Sequence, residues 1–359
     1  MNNLRTEKLR AFIKSADTAL LIKNEINVGY FSGFFHSEGV FLLTCERSYL
    51  LVDFRYFEAA QKYAVGCEVI CFKRLAADIC EILKKESVST LIGEANALSV
   101  AENNAYKKGF ADNGIEFFCD EQLDKAISDI RIIKDKTEFD KILKAQQIAE
   151  RAYKEVLNYI KPGVSERKIS LELEYLMKQY GAERVSFDLI TITGSKTSLP
   201  HGVPGDDLIK SGDFFTMDFG AVYDGYHSDT TRTVAIGYAT DEQKEIYNIV
   251  LRAQLAVLEK VRAGESCLQI DKVARDIIKG AGYGENFGHS TGHGVGLEIH
   301  ELPNVSPKGE IMLREGMVIT DEPGIYIPQK FGVRIEDMIY VTENGYINFV
   351  TLPKELIIL

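Results

Sequence analysis

Two strand-like stretches, residues 214–234 and 318–341, constrain the fold most, because each carries two acidic residues inside apolar β sequence. A carboxylate in a buried strand costs free energy unless a partner offsets its desolvation. The two stretches therefore predict two hairpins whose acidic side chains need a common partner. Those acids are Asp218 and Asp229 in the first stretch, and Glu322 and Glu336 in the second.

The first stretch contains an Asp-Gly pair at 224–225, which is a strong signal for a two-residue hairpin turn. Folding the strands about this turn sets Asp218 opposite Thr231. Side chains alternate between faces, so Asp218 and Asp229 become diagonal neighbours on one face. Two close carboxylates repel each other unless a cation lies between them, which favours a metal site. The alternative is that an aspartate caps a turn or pairs with Arg232.

The second stretch repeats the pattern, with a turn near residues 330–332 and Glu336 on the returning strand. The repetition is a weak hint of internal duplication. Arg334 lies two residues before Glu336 and so shares its face. There it can orient a ligand carboxylate, as outer groups commonly do around metals. A solvent-exposed Arg–Glu ladder is the alternative.

Five of the six histidines lie beyond residue 200, and three of them fall in the glycine-rich segment 287–301. Closely spaced glycines let the backbone approach a buried centre. A dinucleotide-binding loop is disfavoured because no strand–turn–helix context accompanies these glycines. His227 shares a face with Asp229, and either supports a ligand there or packs in the core. The five histidines are His201, His227, His289, His293 and His300.

The order and spacing of these residues resemble the pita-bread metallopeptidases, in the branch that holds aminopeptidase P and prolidase (Xaa-Pro dipeptidase). The first third of the chain also resembles the creatinase/prolidase N-terminal domain, through Tyr30-Phe31-Ser32-Gly33-Phe34 and Asp53-Phe54-Arg55-Tyr56. The catalytic motifs are Leu199-Pro200-His201-Gly202, Met217-Asp218-Phe219-Gly220, Ser228-Asp229-Thr230-Thr231-Arg232-Thr233, Gly292-His293-Gly294-Val295-Gly296-Leu297, Asp321-Glu322-Pro323-Gly324-Ile325-Tyr326 and Arg334-Ile335-Glu336-Asp337.

This resemblance implies two divalent metal ions held by five side chains. Asp218 would chelate one ion, whereas His293 and Glu322 would bind the other. Asp229 and Glu336 would bridge the pair. Four carboxylates and one imidazole form an oxygen-rich set that suits Mn²⁺, with Co²⁺, Fe²⁺ or Zn²⁺ as alternatives.

The resemblance also implies how a peptide bond would be hydrolysed. Glu322 would move a proton between the attacking water and the leaving nitrogen. His201 and His300 would hold the scissile carbonyl or its developing oxyanion. His289 would lie nearby without binding a metal, and Arg334 would orient a ligand.

The expected substrate is a proline-containing peptide. Asn304 stands where prolidases often carry arginine, whose planar fork suits the free carboxylate of a dipeptide. This difference favours aminopeptidase P, which removes the N-terminal residue from longer Xaa-Pro peptides, and prolidase is the alternative. A catalytically silent binding protein and a metal-free creatinase-like hydrolase are disfavoured, because all five ligand positions are kept. The long N-terminal part disfavours a methionine aminopeptidase.

We expect an α/β N-terminal domain with a mixed sheet at residues 1–132 and an α+β pita-bread catalytic domain at 133–359. A capping box from Thr137 to Asp140 predicts the start of a long helix that Pro162 ends, and Ser165 predicts the cap of the next helix. In the N-terminal domain, strands are predicted at 18–22, 40–44, 49–53, 69–72 and 90–92, and helices at 54–63 and 76–84.

The formal net charge of −11 disfavours nucleic acid as a partner, because an acidic surface repels phosphates. No apolar run approaches the ~20 residues of a membrane span, and we read no signal peptide. The six cysteines fit reduced thiols, which predicts a cytoplasmic protein. The resemblance further suggests a homodimer, in which His36 could reach the partner's site. A surface-loop position for His36 is the alternative.

Overall fold

The computed structural model describes residues 4–35 and 37–359 and divides into two compact units, one ending at Arg131 and the other spanning Ile132–Leu359. His36 lies outside the described residues, so its role stays a prediction. Among the helices described below, none combines the length and the apolar character needed to cross a membrane.

The first unit is built around one six-stranded sheet. Its strands are β1 (Thr18–Ile22), β2 (Val40–Leu43), β3 (Ser48–Val52), β4 (Glu68–Cys71), β5 (Thr90–Glu94) and β6 (Glu116–Asp120). Its helices are α1 (Leu4–Arg10), α2 (Glu25–Ser32), α3 (Phe54–Tyr63), α4 (Leu75–Lys85), α5 (Val100–Ala111) and α6 (Glu121–Arg131). The strand order is β4-β3-β2-β1-β5-β6, with antiparallel pairs β1–β2 and β2–β3 and parallel pairs elsewhere. The predicted mixed sheet is confirmed.

All five strands and both helices predicted for this unit are present, within two residues of their predicted bounds. The prediction omits β6 and the helices α1, α2, α5 and α6. In α5, Phe110 is the only buried residue of the twelve, all of which the structure describes. Such a helix lacks the apolar stripe by which a sequence reveals helical periodicity.

Two pairs of helices and thirteen short strands make up the described second unit. The helices are α7 (Lys136–Val156), α8 (Glu166–Gln179), α9 (Asp241–Lys260) and α10 (Cys267–Gly280). The strands are β7 (Arg184–Val185), β8 (Ile190–Thr193), β9 (Phe214–Phe219), β10 (Ala221–Tyr223), β11 (Tyr226–His227), β12 (Thr230–Ala235), β13 (Gly292–Gly294), β14 (Glu301–Val305), β15 (Val318–Asp321), β16 (Gly324–Ile327), β17 (Phe331–Arg334), β18 (Asp337–Val341) and β19 (Tyr346–Asn348). They pair in the orders β11-β10-β7, β12-β9-β8, β14-β13-β15-β18-β19 and β16-β17.

The long helix α7 begins two residues earlier than its predicted capping box. Its cap is Asp135, whose side chain accepts from the backbone N–H of Glu138 at 2.9 Å. The Glu138 carboxylate in turn accepts a hydrogen bond from the backbone N–H of Asp135, also at 2.9 Å. The capping box assigned to Thr137 and Asp140 is therefore wrong, because Asp135 already satisfies the free N–H groups of the first turn. The predicted cap of α8 at Ser165 is confirmed.

The second helix of each pair begins in the same way, which extends the similarity of the two acidic hairpins. Gly163 and Gly264 have positive φ angles of +87° and +88°, and Ser165 and Ser266 cap α8 and α10. Each serine also forms an isolated antiparallel β-bridge with a later segment. Each half of the unit therefore supplies one acidic hairpin from a similar scaffold.

Gly292 lies in β13 where the neighbouring backbone leaves no room for a side chain, because a Cβ there would lie 2.0 Å from the carbonyl oxygen of Thr320. We expect Gly292→Ala to lower the free energy of unfolding by about 2–3 kcal/mol, since β15 would have to move. Urea unfolding measures the change. Gly288→Ala is the control, because a Cβ there meets no described atom within 4 Å. Equal losses in both variants would contradict this steric explanation.

Candidate active site

A cavity of about 820 Å³ lies within the second unit and is lined by all nine residues to which the sequence assigns a catalytic or metal-binding role. Part of its wall is apolar and includes Phe187, Ile190 and Ile299. The nine residues are His201, Asp218, Asp229, His289, His293, His300, Glu322, Arg334 and Glu336. Residues that are far apart in sequence therefore face one shared space.

The first acidic hairpin has the predicted register, with Asp218 in β9 directly opposite Thr231 in β12. Its turn contains Asp224 and Gly225 at φ angles of 47° and 79°, as a turn with two left-handed residues requires. Asp229 lies between β11 and β12 and is 4% exposed. The hairpin thus brings both aspartates to the cavity.

The second acidic hairpin is interrupted rather than continuous. Glu322 lies between β15 and β16, and Glu336 lies between β17 and β18. Pro323 has no N–H to donate to a ladder, which explains the break after Glu322. At these breaks the N–H of Glu322 donates to the carbonyl oxygen of Thr291 at 2.8 Å, and that of Glu336 to Thr231 at 3.1 Å. The prediction that both glutamates sit within strands is therefore wrong in detail.

His293 lies at a register shift in β13 and points its ring at the acidic residues. Its Nδ1 lies 3.0 Å from the carbonyl oxygen of Gly294, which can only accept, so Nδ1 carries the proton. The free Nε2 lies 3.5 Å from Asp229 Oδ2 and 3.4 Å from Glu322 Oε1. An imidazole held in this tautomer is arranged to bind a metal through Nε2.

The donor set fits divalent metal ions. Asp229, His293 and Glu336 each offer a ligand atom, and these atoms lie within 4.8 Å of one another. Asp218 Oδ1 is buried and has no hydrogen-bond partner among the described residues. A buried carboxylate oxygen without a donor is costly, and a cation beside it would remove that cost. Oxygen-rich sets of this kind suit hard divalent ions.

Burial shapes the pKa values of this cluster. Burial, followed by the nearby charges of Asp218 and Glu322, raises the pKa of Asp229 well above its usual range. Burial also raises the pKa of Glu322 to about 8 and lowers that of His293 to about 4. Burial, followed by the nearby charges of Asp229 and Glu322, raises the pKa of Glu336 as well. His293 is therefore neutral near pH 7 in the metal-free protein.

Arg334 is bound to two of the predicted ligand carboxylates, directly to Asp218 and through Thr231 to Glu336. Its Nη2 lies 2.6 Å from Asp218 Oδ2, and its Nε donates to Thr231 Oγ1 at 3.0 Å. The same hydroxyl donates to Glu336 Oε2 at 2.6 Å. Because Arg334 is only 4% exposed, the alternative of a solvent-exposed ladder is wrong.

Tyr326 is a functional candidate that the sequence motifs contain but do not single out. Its hydroxyl accepts from Arg334 Nη1 at 2.8 Å and lies 2.9 Å from His289 Nε2. Since arginine can only donate, the hydroxyl proton is free to bind His289. His289 is therefore linked to Arg334 and not to the cluster of carboxylates.

Of the three remaining histidines beyond residue 200, His201 and His300 line the cavity and His227 does not. The ring of His300 lies 4.3 Å from that of His293, and His201 lines the cavity with its side chain exposed. His227 is absent from the described residues that line the cavity, and its Nε2 lies 3.5 Å from Arg184. Burial lowers the pKa of His227 to about 4, which agrees with the packing alternative.

Comparison with known proteins agrees with this architecture. The sequence model of metallopeptidase family M24 matches residues 140–343, and that of the Creatinase/Prolidase N-terminal domain matches residues 5–133. The Xaa-Pro dipeptidase of Pyrococcus furiosus is 41% identical over 355 residues, which cover 98% of this chain and 99% of that protein. An uncharacterized peptidase of Bacillus subtilis, YqhT, is 40% identical over 99% of this chain and its own full length.

Two solved structures are similar over nearly the whole chain. The Xaa-Pro dipeptidase from Bacillus anthracis superposes with a TM-score of 0.94 at 42% identity, covering all of both chains. The X-Pro aminopeptidase from Thermotoga maritima superposes with a TM-score of 0.91 at 36% identity, covering 99% of this chain and 100% of that one. The chain therefore belongs to metallopeptidase family M24, and the expected pita-bread architecture is confirmed. It is a hydrolase, and the family implies divalent metal ions.

Proposed function

We propose that the protein hydrolyses Xaa-Pro peptide bonds with two divalent metal ions, most suitably Mn²⁺. The convergence of five side chains on one cavity carries this proposal. The proposed metal ligands are Asp218, Asp229, His293, Glu322 and Glu336. Retention of the whole set argues against a catalytically silent binding protein.

The side chains have distinct tasks in this proposal. When bound, paired metal ions would lower the pKa of a water molecule and stabilise charge on the substrate carbonyl. Glu322 accepts the proton of the attacking water and delivers it to the leaving proline nitrogen. Thr320 Oγ1 donates to Glu322 Oε1 at 3.1 Å and so holds that carboxylate in position.

Other residues of the cavity orient the ligands and the substrate. Arg334 fixes Asp218 Oδ2, which leaves Oδ1 directed to the site. His201 and His300 supply donors for the substrate carbonyl and for the oxyanion that develops from it. His289 keeps Tyr326 in place against Arg334.

Two substrate classes compete for this site. A volume of about 820 Å³ lies in the upper part of the ~300–1,000 Å³ range of small-molecule pockets, which leaves room for more than a dipeptide. Asn304 lines the cavity and carries no charge for a dipeptide carboxylate. Both observations support an aminopeptidase P-like activity. The names of the Bacillus anthracis and Pyrococcus furiosus relatives support prolidase, the second candidate.

Hydrolysis of matched Xaa-Pro and Xaa-Pro-Yaa peptides by the Mn²⁺-loaded protein tests the proposal. We expect both to be cleaved at the Xaa-Pro bond, with the larger kcat/KM for the tripeptide. A larger kcat/KM for the dipeptide would establish prolidase instead. Failure to cleave either peptide, with Mn²⁺ bound, would overturn the proposed function.

The organisation of the protein completes the proposal. We propose that residues 1–132 and 133–359 are its two domains and that it acts as a homodimer in the cytoplasm. The division of the structure next to Arg131 supports the boundary. Sedimentation of the full chain at several concentrations would measure its oligomeric state.

A further inference from the structure

A partly buried ion pair on α10 faces segment 287–291, which carries the cavity residue His289 and leads into His293. Asp271 is 1% exposed and binds Arg275, one helical turn later, through two parallel contacts. Arg275 Nε lies 2.8 Å from Asp271 Oδ2, and Arg275 Nη2 lies 2.8 Å from Oδ1. Neither residue lines the cavity among the described residues. The pair is therefore available for a supporting role and not for contact with substrate.

The pair binds the segment 287–291 at four points. Asp271 Oδ1 accepts from the backbone N–H and the hydroxyl of Thr291, at 3.1 and 2.9 Å. Arg275 donates to the carbonyl oxygens of Phe287 and His289, at 3.1 and 2.9 Å. Its guanidinium also lies 4.5 Å from the centre of the Phe287 ring. Both ends of this short segment are thus held by one charge pair.

The same segment connects to two proposed metal ligands. The carbonyl oxygen of Thr291 accepts from the N–H of Glu322 at 2.8 Å. Two residues further on, the N–H of His293 donates to Thr320 Oγ1 at 3.0 Å, and that hydroxyl binds Glu322 Oε1. A shift of Thr291 would therefore move Glu322 and His293 together.

We propose that Asp271 and Arg275 are positioning residues, which fix segment 287–291 so that His293 and Glu322 meet at the distance that metal binding requires. This inference rests on the two-metal site of the proposed function. Charge-assisted, bidentate contacts are strong and directional, which suits a device that must hold one geometry. Groups that orient metal ligands typically affect metal affinity or activity about 10–100-fold when they are changed.

Asp271→Asn tests the proposal with a change of charge at nearly constant shape. The amide oxygen can still accept from Thr291, but the parallel contact with Arg275 is lost. We expect the dissociation constant for Mn²⁺, measured by isothermal titration calorimetry, to rise about 10-fold. We expect kcat to fall about 10-fold and KM to change less than about threefold, as for the loss of an interaction made at the reacting centre.

A second variant covers the case in which Asp271→Asn does not fold. Arg275 is partly exposed, with 28% of its side chain accessible, and Arg275→Lys keeps the charge but loses the fork. We expect Arg275→Lys to weaken Mn²⁺ binding less than Arg275→Gln does. Equal weakening in both variants would show that the fork and not the charge holds the segment, and wild-type Mn²⁺ affinity in both would overturn the positioning role of Arg275.

Asp276→Asn is the matched control, because Lys272 and Asp276 form an ion pair with the same spacing on the same helix. Their side chains are 56% and 59% exposed, so this pair lies in solvent. The control should bind Mn²⁺ and turn over like the wild type. A lower melting temperature of Asp271→Asn with unchanged Mn²⁺ affinity and kcat would overturn the positioning role. Absence of Mn²⁺ binding by the wild type would instead refute the proposed function.

Discussion

Glu322→Gln is expected to lower kcat for Xaa-Pro hydrolysis by about 10³-fold, within the 10²–10⁴-fold range of general acid–base catalysis, and to leave the fold intact. Glutamine keeps the size of the side chain and can still accept from Thr320, which now donates to Glu322 at 3.1 Å. It cannot take a proton from water and return it to the leaving nitrogen. It also removes one of the four negative charges of the proposed site.

The measurement is steady-state turnover of Glu322→Gln at saturating Mn²⁺, together with thermal unfolding. We expect the metal-free variant to be no less stable than the wild type, because a buried neutral amide avoids the desolvation that raises the pKa of Glu322 to about 8. Glu310→Gln is a suitable control, since Glu310 is exposed and lies outside the described lining of the cavity. Retention of more than a tenth of wild-type kcat by Glu322→Gln would disprove the assigned proton transfer.

The hairpin geometry of the site was accessible from sequence because it depends on local rules. The period of two along a strand and the Asp-Gly turn place Asp218 opposite Thr231, and the structure has that pairing. The breaks at Glu322 and Glu336 were not accessible. They depend on hydrogen bonds to Thr291 and Thr231, which are remote in sequence.

The two ion pairs of α10 illustrate the same limit. Asp271 and Arg275 have the spacing of an ordinary exposed helical pair, such as Lys272 with Asp276. What distinguishes the two is the contact of the first pair with a loop twenty residues away in sequence. Local sequence contains no signal for that contact.

His227 shows how a correct local rule can give an incomplete answer. The alternation of side chains along a strand predicts that it shares a face with Asp229. Asp229 lies outside a regular strand, however, and His227 lies against Arg184 instead of the cavity. Alternation holds only while the strand continues.

Chelation of the metal is expected to remove at least about 99% of the activity, and added Mn²⁺ is expected to restore it. Without a cation, the acidic side chains of the site face one another beside a neutral imidazole, and nothing activates water at neutral pH. The assay is turnover after treatment with a chelator, removal of the chelator, and titration with Mn²⁺. Full activity in protein shown by elemental analysis to be metal-free would exclude a metal mechanism.

The stability of the metal-free protein should depend on pH in a way that the loaded protein does not. Burial raises the pKa of Glu322 to about 8, so the folded metal-free protein retains a proton that the unfolded chain loses near its ordinary value of about 4.3. Stability therefore falls as pH rises through this interval. The lowered pKa of His293, about 4, has the opposite effect on stability. An unfolded histidine gains its proton below about pH 6.5, so only below that pH does this histidine make stability rise with increasing pH.

Between pH 6.5 and about 8 the lowered pKa of His293 has no further effect, whereas the raised pKa values of Glu322, Asp229 and Glu336 still do, so the metal-free protein should lose stability as pH increases. Bound Mn²⁺ removes this loss, because it favours the ionised carboxylates, and adds about 2.7 kcal/mol at a free concentration 100 times its dissociation constant. Melting temperatures of both forms across this interval measure the effect. Parallel pH profiles would mean that Mn²⁺ does not bind at these carboxylates, because a cation among them must change their protonation.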